Sequence, residues 1–134
     1  TFGGAATWAD MVNFEEAIAT DNADVSGMHF LTTPATRAKW KTIERASNTG
    51  KYLWAKNSRI NGYSGNVTNQ VPSNKVIFGN FADLVIADWD GLDVVVDPYT
   101  LATSNQVRVT INLMTDVAVR NPVSFCVSTD SGAQ

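Results

Sequence analysis

The chain has 134 residues, enough for one domain with a core of its own. Apolar residues make up 44% and charged residues 17%, which excludes a disordered chain, and no apolar run approaches the roughly 20 residues a membrane helix needs. The net charge of −3 argues against a surface specialised for nucleic acid, and a lone cysteine, Cys126, excludes an internal disulfide and reads as a buried, inert thiol.

The first residue is Thr1 rather than Met, and no basic stretch followed by an apolar run opens the chain. A chain without a signal peptide, either processed or part of a longer one, is expected. Residues 1–6 are small and flexible in character. Thr7 is placed to cap a helix, with Asp10 in the first turn where the helix dipole favours an acid. Trp8, Met11, Val12, Ile18 and Ala19 fall at helical spacing with Phe14 beside them, which predicts an amphipathic helix over residues 8–19 and an exit loop over 21–27. Residues 28–31 predict a short strand. Thr33-Pro34 supplies an N-cap followed by proline at the first helical position. That second helix is expected to reach Ala46, with Ala35, Ala38, Ile43 and Ala46 as a thin apolar stripe and Trp40 at its edge. Arg37, Lys39, Lys41 and Arg45 form a basic side, read as a solvated face because no stacking aromatics interleave with the cations.

Residues 51–54 are a short apolar piece. The stretch 57–74 is rich in Asn, Ser and Gly and predicts a long loop or a pair of ragged strands. Residues 84–87 are an apolar run that fits a strand buried on both faces. Asp90-Gly91 then reads as a hairpin turn, after which Leu92, Val94 and Val96 point one way and Asp93, Val95 and Asp97 the other, until Pro98 closes the strand. Val107, Val109, Ile111, Leu113, Val117 and Val119 occupy odd positions of a second alternating run. Some fourteen residues of strand would span roughly 45 Å, long for a small domain. Asn121-Pro122 turns the chain, Val123, Phe125 and Val127 predict a last strand, and residues 128–134 a polar tail.

The residues offer little chemistry. His29 is the only histidine and sits among Met28, Phe30 and Leu31, so a Ser-His-Asp site would have to use it, and no Gly-x-Ser-x-Gly elbow is present. One Cys and one His cannot assemble a zinc site between them. The acids Asp83, Asp88, Asp90, Asp93 and Asp97 are the best cation candidates, yet setting Gly91 at the glycine of a calcium loop puts Ile86 at the first ligand position, where an oxygen donor is needed. No catalytic, cofactor-binding or metal-ligating residue is therefore assigned.

Several motifs together carry a resemblance. They are Thr7-Trp8-Ala9-Asp10-Met11-Val12, Thr33-Pro34-Ala35-Thr36-Arg37, Gly50-Lys51-Tyr52-Leu53-Trp54, Asn69-Gln70-Val71-Pro72, Phe78-Gly79-Asn80-Phe81, Trp89-x-Gly91-Leu92 and Asp97-Pro98-Tyr99-Thr100, with the Asp116-x-Ala118-Val119-x-x-Pro122 finish. In this order and spacing they resemble the major capsid proteins of tailed bacteriophages and prophages. The resemblance implies an α+β capsid fold: an axial domain with helices packed on a central mixed or antiparallel sheet over residues 1–106, then long terminal strands of the peripheral domain over 107–134. The flexible arm, extended loop and spine helix of that family would lie before Thr1.

By the same resemblance the protein is structural and not an enzyme. Copies of it are expected to assemble into pentamers and hexamers of an icosahedral virion shell made in the bacterial host cytoplasm, which encloses DNA without reading its sequence and involves no membrane. A scaffold or maturation protease are the further partners such shells use. Some relatives cross-link subunits through a Lys–Asn bond promoted by a Glu. Asn105 falls near the asparagine, but residues 107–122 contain no Glu, so the cross-link is not carried over. The residues alone leave two other readings. One is a small α+β hydrolase using the acids from Asp88 to Asp97, which requires two converging carboxylates and a raised pKa on one. The other is a binding module presenting Trp54, Tyr63 and Trp89 as a flat aromatic platform.

Overall fold

The computed structural model describes residue 2 and residues 4–21 and 27–132. The expected exit loop falls outside the described residues from 22 to 26. The chain divides into two compact units, one of Thr1–Asp83 with Asn121–Gln134 and one of Leu84–Arg120. This division cuts earlier than residue 106 and returns the last residues to the first unit.

In the first unit, helix α1 (Trp8–Thr20) starts where expected. The Thr7 hydroxyl accepts the Asp10 N–H at 3.3 Å, and the Asp10 carboxylate accepts the Thr7 N–H at 2.8 Å. Two otherwise orphaned backbone donors are thereby satisfied reciprocally. Met11, Phe14 and Ile18 are the buried face, whereas Val12 and Ala19, expected to join them, are exposed.

Strand β1 (Met28–Thr32) alternates buried and half-buried residues, with Met28, Phe30 and Thr32 inward. It lies at the centre of a five-stranded mixed sheet. The other strands are β2 (Arg59–Ile60), β3 (Tyr63–Val67), β4 (Val76–Asn80) and β7 (Phe125–Ser128), in the order β2-β3-β1-β4-β7. Only the β1–β3 pair is parallel. The antiparallel register sets Phe30 opposite Phe78, and their rings stack at 4.2 Å with Phe14 of α1 edge-on to Phe30 at 5.7 Å. Offset and edge-to-face aromatic contacts of this kind add to burial. Gly79 is needed beside this cluster, because a Cβ there would drive into the Ser124 carbonyl and the Phe125 ring.

Helix α2 (Pro34–Trp40) has the predicted Thr33 cap but ends six residues before Ala46. The Trp40 carbonyl, which a longer helix would offer to residue 44, instead accepts the Trp54 N–H at 3.2 Å, and the Ile43 carbonyl accepts the Leu53 N–H at 2.9 Å. The chain therefore turns out of the helix and forms a short antiparallel strip, with Glu44 facing Tyr52. The buried face of α2 is Thr36 and Trp40; Ala35 and Ala38 are exposed. Of the two alternatives for the stretch 57–74, a long loop or a pair of ragged strands, it holds two short strands, β2 and β3. Residues 128–132 are not a free tail. Ser131 is fully buried, and the Gly132 carbonyl accepts the Ala6 N–H at 3.2 Å.

Among the described residues, no helix is long and apolar enough to cross a membrane.

Candidate assembly surface

The second unit is a two-stranded antiparallel ribbon of β5 (Leu84–Asp97) and β6 (Arg108–Val119). Asp90-Gly91 is not a hairpin turn, and Leu84–Ala87 is not a doubly buried strand. Both runs belong to one continuous strand, and the two-stranded turn comes later, over residues 98–107. The register slips between Trp89 and Leu92, where β5 carries two extra residues against none on β6. Gly91 absorbs the irregularity with a left-handed φ of 65°, a conformation that favours glycine. An insertion of two preserves the alternation of faces, since the side-chain period of a strand is two.

That phase gives the ribbon one apolar face. Cross-strand pairs on it are Leu84 with Val119, Ile86 with Val117, Leu92 with Leu113, Val94 with Ile111 and Val96 with Val109. Only the pair of Asp88 with Thr115 interrupts the series. Ile86 is 64% exposed and Ile111 60%, and every residue of β6 is exposed. Twelve residues of strand make this face roughly 40 Å long. The other face is mixed: Trp89 lies opposite Met114, but Ala87 faces Asp116, Asp93 faces Asn112 and Asp97 faces Arg108.

The acids proposed for hydrolysis are spread along this ribbon. Asp88 lies on the apolar face, and Asp93 and Asp97 on the other. Asp97 is occupied in a turn, accepting the Tyr99 N–H at 2.8 Å, the Thr100 N–H at 3.2 Å and the Thr100 hydroxyl. Those hydrogen bonds, the Thr100 hydroxyl first, hold its carboxyl below the ordinary carboxylate value, the reverse of what a general acid needs. Among the described residues no group of three His, Cys, Asp or Glu side chains is placed to hold a metal. The aromatic platform also fails, because Trp54 is only 3% exposed, packed against Trp40. His29 is half-buried beside Phe81, and its Nδ1 is buried without a hydrogen-bond partner. Asn105 adopts a left-handed φ of 52° at the end of the 3-10 turn Ala102–Ser104.

Sequence reasoning found the alternation of β6 but missed that β5 runs through the Asp-Gly step. The period-two phase on either side of Asp90-Gly91, apolar at Leu84 and Ile86 and again at Leu92, Val94 and Val96, was the available signal.

The chain is 31% identical over 133 residues to the major capsid protein of Halomonas phage phiHAP-1, covering 99% of this chain and 22% of that protein. It therefore spans about a fifth of that relative's length. Its fold matches the capsid of an empty GTA particle with a TM-score of 0.64 at 19% identity, over 87% of this chain and 40% of that one. It matches the virus-like particle of Pyrococcus furiosus with a TM-score of 0.59 at 20% identity, over 94% of this chain and 56% of that one. The sequence matches the phage capsid family over residues 1–130, and the chain belongs to that family.

Proposed function

We propose that this chain is the axial-domain portion, with the last long strands of the peripheral domain, of a subunit that self-assembles into the pentamers and hexamers of an icosahedral virion shell. The shell encloses DNA and the chain does no chemistry on it. The observation that carries this reading is the uncovered apolar face of the β5–β6 ribbon. A two-stranded ribbon alone is marginally stable in water, and a stripe of ten apolar residues along roughly 40 Å of it calls for a cover. In this reading the cover is the remainder of the peripheral domain of the same subunit, and the axial unit makes the ring contacts. The relatives support it, being capsid proteins longer than this chain.

The Asn-rich stretch 57–74, with left-handed Asn57, Asn61 and Asn74, is assigned to a subunit contact around the ring. Rings of five and six built from one sequence require heterologous, ring-closing contacts, and a polar, turn-rich segment accommodates both.

Electron microscopy with mass analysis of the full-length gene product tests the proposal. Closed shells, or rings of five or six, are expected. A full-length product that stays monomeric at high concentration would sink it.

A further inference from the structure

Charge is divided unevenly along the first unit. Residues 8–21 carry four acids and no cation, whereas residues 37–59 carry seven cations and the single acid Glu44. Four of the seven cations gather around a concavity of about 690 Å³ lined by Lys41, Arg45, Lys51, Tyr52, Trp54 and Lys56 among others, with no acidic residue in its wall. Arg45 is already engaged. Its Nε donates to the Tyr52 carbonyl at 2.9 Å, and its guanidinium lies 4.1 Å over the Trp8 ring. Glu44 accepts the Asn48 N–H at 2.9 Å and does not line the cavity. The ammonium groups of Lys41, Lys51 and Lys56 are exposed and have no hydrogen-bond or ion-pair partner among the described residues.

The acids of α1 are also divided. Asp10 is used in the N-terminal cap, and Glu15 accepts from Asn61 Nδ2 at 2.6 Å and from the Tyr63 hydroxyl at 3.1 Å. Glu16 and Asp21 are exposed, and their carboxylates have no partner among the described residues. They stand at the C-terminal end of the helix, where the macrodipole is negative and where the last turn holds no base. That end is electrostatically uncompensated within one copy. It cannot reach the cavity either. Trp8, under Arg45, marks the other end of α1, and thirteen residues of helix separate it from Asp21, roughly 20 Å.

We propose that the Lys41/Lys51/Lys56 cavity of one copy receives the acidic C-terminal end of α1, with Glu16 and Asp21, of a second copy. Two different patches meeting head to tail form a heterologous contact, the kind that closes rings. The inference rests on the shell reading and names the surfaces that such a ring would join.

The test is charge reversal in the full-length gene product. K51E with K56E, and separately E16K with D21K, are each expected to lower the association constant at least about tenfold, since like charges across an interface are strongly unfavourable. The four-fold swap in one chain is expected to restore association to within about threefold of the parent. All these positions are exposed, and thermal melts check that each variant folds. In parallel, zero-length carbodiimide coupling of the assembled parent protein should give intersubunit bonds from Lys51 or Lys56 to Glu16 or Asp21, read by mass spectrometry. Unchanged assembly of the reversed proteins, a swap that fails to rescue, or the lack of such couplings overturns the pairing while leaving the shell reading intact. So does a K51E/K56E particle that assembles normally but loses retained nucleic acid, which would make the occupant a phosphate backbone. A parent protein that never assembles overturns both.

Discussion

The indole Nε1 of Trp40 donates to the carbonyl oxygen of Ser131 at 3.0 Å, with both residues fully buried and 91 positions apart in the chain. This bond fastens the end of helix α2 to the last described residues. It also explains why residues 128–132 are ordered into the first unit although their composition is that of a tail.

Trp40→Phe keeps most of the apolar volume but leaves the Ser131 carbonyl buried without a donor. The expected cost is about 1–3 kcal/mol, seen as a lower urea midpoint with an unchanged slope. Ser131→Ala is the contrasting variant. The accepting atom is backbone and survives, and the Ser131 hydroxyl is itself buried without a partner. Its removal is expected to be neutral or slightly stabilising.

Thr7→Ala removes one half of the reciprocal cap of α1 and should cost about 1 kcal/mol, with Thr7→Ser recovering most of it. Equilibrium unfolding followed by far-ultraviolet circular dichroism measures both. An unchanged midpoint in Thr7→Ala would mean that Asp10 and water satisfy the helix end without the hydroxyl.

These two cases also mark what was legible in the sequence. The Thr7 cap depends on residues three apart, and local spacing reveals it. The Thr33-Pro34 start of α2 and the alternation of β6 are legible for the same reason. The end of α2 is not local, because it depends on Trp54 and Leu53 taking the carbonyls of Trp40 and Ile43. The Asp90-Gly91 step reads as a turn by itself, and only a partner strand that pairs on both sides of it makes it a bulge. The apolar face of the ribbon was legible as a pattern. Its exposure was not, since the run at residues 84–87 has the composition of a buried strand.

Asp97 gives a pH dependence with a definite sign. Its folded carboxyl lies below the ordinary value of 3.8, so the ordering it supplies to the Tyr99–Thr100 turn is fully present above that value. It is lost as pH falls through the lower, folded value. Amide resonances of Tyr99 and Thr100 should therefore hold constant down through the ordinary carboxylate range and move only below it. Asp97→Asn should abolish that low-pH transition. A titration centred at or above the ordinary value would contradict the hydrogen-bonded turn.

Cys126 is half-buried on β7, and burial pushes its thiol above the ordinary value of 9.0. At neutral pH it is therefore a neutral thiol, and thiolate is the reactive form. Alkylation of the folded protein should run at least about tenfold slower than that of glutathione under the same conditions, and should reach the free-thiol rate in denaturant. Fast alkylation of the native protein would show a thiol more open than the sheet edge provides.

The ribbon offers a face-specific test of the proposed shell. Ile111 and Thr110 are neighbours on β6, both exposed in this chain, but the register puts Ile111 with Val94 on the apolar face and Thr110 with Val95 on the mixed one. If the apolar face is covered in the full-length subunit, Ile111→Lys buries an unpaired charge there, a penalty of at least about 2 kcal/mol, whereas Thr110→Lys adds a charge beside polar neighbours and water. Ile111→Lys should therefore suppress shells or rings in electron micrographs and lower the melting temperature of the full-length protein. Thr110→Lys should assemble as the parent does. Wild-type yields from both variants would mean that water, and not protein, covers the apolar face. The opposite order, with Thr110→Lys the damaging change, would mean that the mixed face is the one that docks.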